Sequence, residues 1–69
     1  MDITEKIRIL ALKNKISVQQ LAEKSGQSSA NLYNKLSRNT FKVSEIEKLA
    51  AAVGCQVEIN FIMPNGEKV

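Results

Sequence analysis

Apolar residues recur at intervals of three and four along most of the chain, which is the spacing of amphipathic helices. Asp2, with Glu5 three residues later, is typical of a helix start. In the run that follows, six apolar residues are expected to form one buried face: Ile3, Ile7, Ile9, Leu10, Ala11 and Leu12. The pattern therefore predicts a first helix over about residues 3–14.

The stretch from Ile16 to Ser37 predicts two short helices joined by a tight turn. Ser17 followed by Gln20 is a capping-box pattern, and Ile16 with Leu21 forms a hydrophobic staple across it. These signals predict a second helix over about residues 18–25. Gly26 stands where a residue in the left-handed conformation would end that helix.

Ser28 is expected to cap a third helix over about residues 29–37. Its apolar residues, Leu32 and Leu36, lie four apart and define one buried stripe. The opposite face carries small and polar side chains, namely Ala30, Asn31, Asn34 and Ser37. An uncharged face of amides and hydroxyls suits a helix that enters the major groove of DNA.

A fourth helix is predicted over about residues 45–53, where Ser44 and Glu47 form a second capping-box pattern. The preceding connection is polar except for Phe41 and Val43, which we expect to fold back onto the core. The buried face of the fourth helix is expected to consist of Ile46, Leu49, Ala50 and Val53. Gly54 would end this helix.

The period changes to two after Gly54, which predicts a β-strand or hairpin over about residues 56–69 with a turn at Pro64–Gly66. A single hairpin is marginally stable alone and leaves unpaired edge groups. We therefore expect this segment to pair with the same segment of a second copy; the alternative is that it folds onto its own helices. The expected dimerisation residues are Val57, Ile59, Phe61 and Met63.

The segment SVQQLAEKSGQSSANLYNKL resembles the helix-turn-helix of the phage repressor and Cro-like family, also called the XRE type. The resemblance includes the step at Gln20, Leu21 and Ala22 and the turn glycine at Gly26, and it continues through SEIEKLAAAVGC. It implies a mainly α, four-helix repressor-like fold, with residues 1–69 forming a single DNA-binding domain. A C-terminal strand departs from the commonest family plan, in which a fifth helix stands at this position.

A stretch of positive charge without an acid lies beside the third predicted helix. The net charge is +3, and Lys24, Lys35, Arg38 and Lys42 follow one another without an intervening acid. Such a stretch favours contact with the DNA backbone, while the alternative is a solvated basic loop.

Composition argues against catalysis. The chain has no histidine, one aspartate near the terminus and one cysteine, which excludes Ser-His-Asp and Cys-His catalysis and leaves no metal-ligand set. Cys55 is expected to be a small buried side chain. We therefore expect no enzyme activity, no cofactor and no metal. With no apolar run long enough for a membrane span and no signal-peptide pattern, a cytoplasmic protein without a membrane partner is expected.

The family resemblance implies the residues that contact DNA. Those expected to read bases are Ser28, Ser29, Ala30 and Asn34. Those expected to contact phosphates are Gln19, Gln27, Asn31, Tyr33, Lys35, Arg38, Asn39 and Lys42. Asn34 is the main candidate for specificity because an amide pairs bidentately with adenine. For Tyr33, the sequence leaves open packing on the second helix, stacking on a sugar and donation to a phosphate. Lys35 departs from the family, which often has an apolar core residue there.

The expected function is that of a sequence-specific transcriptional regulator, a repressor that binds a palindromic operator in double-stranded DNA as a homodimer. Symmetric dimers of this type address successive major grooves about 34 Å apart. One alternative is an antitoxin-like component whose C-terminal strand captures a partner protein. Another is an interaction module that has lost DNA binding, against which the basic stretch from Lys35 to Lys42 argues.

Overall fold

The computed structural model describes residues 2–69, and this part of the chain contains four helices. Their bounds are α1 Ile3–Lys13, α2 Val18–Lys24, α3 Ser29–Arg38 and α4 Val43–Ala52. The first three agree with the sequence pattern to within one residue at each end. The mainly α prediction with four helices is therefore confirmed.

Local hydrogen bonds begin the first two helices as the sequence predicts, and a glycine with positive φ follows the second. The Asp2 carboxylate accepts from the Glu5 N–H at 3.1 Å at the start of α1. At the start of α2, the Ser17 N–H donates to Gln20 Oε1 at 2.9 Å, and the Gln20 N–H donates to Ser17 Oγ at 3.0 Å. Gly26, which follows α2, has a φ of +80°. These contacts satisfy donors that a helix start leaves without a partner.

The fourth helix starts two residues earlier than predicted. Its N-cap is Lys42, whose N–H donates to Glu45 Oε1 at 2.8 Å, so the prediction that Ser44 caps α4 is wrong. The Glu45 carboxylate also forms an ion pair with Lys35 of α3, which holds it at this position. Val43 consequently lies in the first turn of α4 and is 53% exposed, so it does not fold back onto the core as predicted.

One hydrophobic core joins all four helices. Its buried residues are Ile7, Ala11, Leu21, Ala22, Leu32, Leu36 and Leu49. Residues packed against it are Ile3, Ile16, Val18, Phe41 and Val53, so the prediction for Phe41 is confirmed. Ile9 and Leu12, by contrast, are 41% and 74% exposed. At 3.6 residues per turn they lie about 200° and 140° around α1 from Ile7, so they cannot share its buried face.

Two long-range hydrogen bonds fix the start of α1 against the end of α3. Asn39 ends α3 in the left-handed conformation, with a φ of +53°, and its Oδ1 accepts from the Thr4 N–H at 2.9 Å. Thr4 Oγ1 donates to the Leu36 carbonyl oxygen at 2.6 Å. A donor in the first turn of α1 is thereby satisfied, and the Leu36 carbonyl, which also accepts from the Asn39 N–H at 3.2 Å, gains a second donor.

The predicted C-terminal strand is not formed: the chain from residue 2 to 69 contains an isolated antiparallel bridge between Ile62 and Lys68 and no strand. Phe61 and Val69 exchange two backbone hydrogen bonds of 2.7 and 2.8 Å, and the Met63 N–H donates to the Glu67 carbonyl at 2.7 Å. The predicted turn at 64–66 therefore exists, but residues 57–60 have no ladder partner. So short a hairpin lacks the neighbouring strand that would stabilise it.

The side chains of this C-terminal segment are also less buried than the alternating pattern predicts. Ile59, Phe61 and Ile62 are 54%, 74% and 71% exposed, so most of both faces of the segment is uncovered. Cys55 is exposed as well, which makes the prediction of a buried cysteine wrong. Val57 is half-buried, but the other apolar side chains of the segment are exposed.

Candidate nucleic-acid interface

The turn between α2 and α3 is held by a chain of side-chain hydrogen bonds. Asn31 Nδ2 donates to Gln27 Oε1 at 2.8 Å, Gln27 Nε2 donates to Ser25 Oγ at 3.2 Å, and Ser25 Oγ donates to the Ala22 carbonyl at 2.9 Å. Ser28 caps α3 by accepting from the Asn31 N–H at 3.1 Å. These bonds link the last turn of α2 to the first turn of α3.

The helix α3 has one buried and one exposed face. Leu32 and Leu36 are 0% and 3% exposed and attach the helix to the core. Asn34 lies about 200° around the helix from Leu32, so it projects away from the protein. The exposed side chains of α3 are Ala30, Asn31, Tyr33, Asn34, Ser37 and Arg38.

The four predicted base-reading residues lie at the N-terminal end and along the outer face of α3. Ser28, Ala30 and Asn34 are exposed, while Ser29 is half-buried. Tyr33 is 47% exposed on the flank of the helix and is not part of the core cluster. The arrangement presents a hydroxyl, a methyl group and an amide, none of them charged.

The predicted phosphate-contacting residues differ in their exposure and in whether their charge is paired. Gln19, Asn31, Tyr33, Arg38, Asn39 and Lys42 are exposed, and Gln27 and Lys35 are half-buried. Lys35 is paired with Glu45, so its charge is partly neutralised. Between residues 2 and 69 no carboxylate pairs with Arg38 or Lys42. These two cations follow the outer face of α3 and are available to phosphates.

Two contacts that affect the site have no local signal in the sequence. The partner of Asn39 is Thr4, 35 residues away, and this contact occupies the amide oxygen while leaving the Asn39 Nδ2 group free to donate. The partner of Lys35 is Glu45, on the following helix. Both depend on how the helices pack, so periodicity and capping rules do not reveal them.

An apolar groove of about 600 Å³ lies between α1, α4 and the C-terminal segment. Its apolar lining includes Ile3, Leu10, Ile46, Val57 and Ile59. Within the described residues, no group of three or more His, Cys, Asp or Glu side chains is placed to hold a metal ion. None of the helices from residue 2 onward is both long and apolar enough to cross a membrane.

Comparison with known families agrees with this geometry. A family model described as a Cro/C1-type helix-turn-helix DNA-binding domain matches residues 6–58. The matched region runs from the first turn of α1 to the residues that follow α4, and so includes the helix pair and its turn. No curated protein and no solved structure matches the chain.

Proposed function

Because the chain belongs to the Cro/C1-type helix-turn-helix DNA-binding family, we propose that it is a cytoplasmic transcriptional repressor that occupies a palindromic operator as a homodimer. The observation that carries this proposal is the outer face of α3, which is exposed and uncharged at Ala30, Asn31, Asn34 and Ser37, with Arg38 and Lys42 unpaired at and beyond its C-terminal end. An uncharged face suits contact with base edges, and the flanking cations suit contact with phosphates.

In this proposal α3 enters the major groove and Asn34 makes the main specific contact. Its amide pairs with the N6 and N7 groups of adenine, a contact that discriminates against other bases by about 1–3 kcal/mol. The methyl group of Ala30 contacts a thymine methyl, and Ser28 and Ser29 read bases more weakly. No catalytic step or cofactor is required, since an occupied operator blocks transcription by itself.

The backbone contacts set affinity rather than sequence preference. Arg38 and Lys42 approach phosphates at the C-terminal end of α3, while Gln19, Tyr33 and the free amide group of Asn39 donate hydrogen bonds around it. Lys35 contributes less because Glu45 shares its charge. Binding of this kind weakens steeply as the salt concentration rises.

The homodimer is proposed to form through the apolar side chains after α4, of which Ile59, Phe61 and Met63 are exposed and Val57 is half-buried. Val57, Ile59, Phe61 and Met63 would contact the same residues of a second copy, with the adjoining apolar groove as further surface. Exposed clusters of this kind mark interaction sites more often than single apolar residues do. A two-fold dimer would address two half-sites about 34 Å apart.

The function is tested by selecting bound duplexes from a random DNA pool at near-physiological salt. We expect a palindrome with half-sites about one helical turn apart, and we expect Asn34→Ala to relax the preference at one position in each half-site. Recovery of DNA without sequence enrichment would refute specific binding. Sites from Asn34→Ala identical to those of the parent would refute the role of Asn34.

The dimer is tested with Phe61→Glu and a matched control, Leu12→Glu. Both side chains are 74% exposed, so neither change disturbs the core, but Leu12 lies on α1 outside the proposed interface. We expect Phe61→Glu to shift the sedimenting species from dimer to monomer while Leu12→Glu leaves the mass unchanged. Equal masses for Phe61→Glu and the parent would contradict the proposed interface.

A second candidate is an antitoxin-like role in which the C-terminal segment binds a partner protein. The observation that favours it is the unpaired backbone of residues 57–60, which offers hydrogen-bonding groups to an added strand. Such a protein would co-purify with one partner in a fixed stoichiometry. If the purified homodimer enriches a palindrome in the absence of any partner protein, DNA binding does not require a partner.

A further inference from the structure

The hydrogen-bond chain across the helix turn determines which way two side-chain amides face. The chain ends on the Ala22 carbonyl, which only accepts, so the Ser25 hydroxyl must donate its single proton to it. Ser25 Oγ can then only accept from Gln27, which must present its NH₂ group to Ser25. The Gln27 carbonyl therefore faces Asn31, and Asn31 must present its own NH₂ group to Gln27.

These bonds determine which hydrogen-bonding groups of the Asn31 amide remain available to a ligand. Its Oδ1 is free to accept, and one of its two Nδ2 hydrogens is free to donate, because the other is used by Gln27. Asn31 is exposed in the first turn of α3, three residues before Asn34 and therefore beside it on the helix surface. The two amides stand next to each other on the face proposed to meet DNA.

Because the Asn31 amide offers one donor and one acceptor, it does not fit adenine, guanine and phosphate equally well. Adenine presents the N7 acceptor and the N6 donor side by side in the major groove, which complements both groups of Asn31. Guanine presents two acceptors, so one of them would face the Asn31 Oδ1, which is itself an acceptor and cannot bond to it. A phosphate likewise presents only acceptors. Asn31 thus matches adenine better than it matches either guanine or the DNA backbone.

We propose that Asn31 reads adenine at a base position next to the one read by Asn34, and that Gln27 is a positioning residue that fixes the Asn31 amide. The inference rests on the proposed function, since it assumes that α3 enters the major groove. It replaces, for these two residues, the phosphate contacts implied by family resemblance.

Site selection with Asn31→Ala tests the reading role. We expect the adenine preference at one position of each half-site to fall by about fivefold to a hundredfold, with other positions unchanged. Asn34→Ala is the matched control and should change a different position. If Asn31→Ala lowers affinity uniformly for all sequences, or leaves the base preferences unchanged, the inference is wrong. The proposed function would still be supported if the parent protein enriches a palindrome.

Two substitutions at Gln27 test whether this residue orients the Asn31 amide or only stabilises the fold. Gln27→Ala removes the acceptor, so the Asn31 amide can rotate; we expect a weaker adenine preference with unchanged affinity for non-specific DNA. Gln27→Glu keeps an acceptor for Asn31 but adds negative charge, so we expect the preference to persist while all affinities fall. If Gln27→Ala preserves the adenine preference, Gln27 does not position Asn31. If the parent enriches no site, the proposed function itself fails.

Discussion

Replacement of Lys42 by alanine tests the proposed backbone contact and the number of copies on DNA in one experiment. The Lys42 side chain is exposed, and no carboxylate of residues 2–69 pairs with it. Its backbone N–H, which donates to Glu45 Oε1 at 2.8 Å, is retained in alanine. The substitution therefore removes one positive charge and leaves the start of α4 intact.

The size of the effect follows from counterion release. Each phosphate neutralised on duplex DNA contributes about 0.9 to the slope of log K against log salt concentration. If one copy binds, loss of Lys42 should reduce the slope by about 0.9. If a symmetric dimer binds, two copies lose the contact and the reduction should be about 1.8. The proposed homodimer predicts the larger value.

The assay is fluorescence anisotropy of a labelled selected duplex, measured over a series of salt concentrations. Lys48→Ala is the control, because Lys48 is an exposed cation on α4, outside the basic stretch, and its loss changes the net charge equally. We expect Lys48→Ala to leave the slope near that of the parent. An unchanged slope for Lys42→Ala, or equal reductions for both variants, would refute a specific backbone contact at Lys42.

Two further changes test the packing that supports the site. Leu32→Ala removes a core side chain with 0% exposure and should lower the free energy of unfolding in urea by about 2–5 kcal/mol; a loss below about 1 kcal/mol would contradict its place in the core. Glu45→Gln removes the partly exposed ion pair with Lys35, so stability should change by no more than about 1 kcal/mol. DNA affinity at low salt should rise because Lys35 is freed, and a decrease would mean that Glu45 does not compete with DNA.

Signals that act over a few residues predicted most of the helical fold. Ser17 and Gln20 are three apart, so the capping box that starts α2 is complete within one turn of chain. The conformational freedom of Gly26 is likewise a local property, and its positive φ was predicted correctly. The spacing of Leu32 and Leu36, four residues apart, is also a local signal, and it predicts that Asn34 lies on the opposite, outer face of α3.

Local patterns are therefore sufficient to predict the four helices, the turn between α2 and α3 and the exposed face of α3, but not the start of α4. The pairing of Lys35 with Glu45, the contact of Asn39 with Thr4 and the exposure of individual apolar residues depend on how the helices pack. Periodicity shows which side chains share a face, but burial requires a second surface to cover that face. The core covers the apolar face of α3, whereas Ile59, Phe61 and Ile62 after α4 remain exposed, which is why this segment is the proposed place for a second copy.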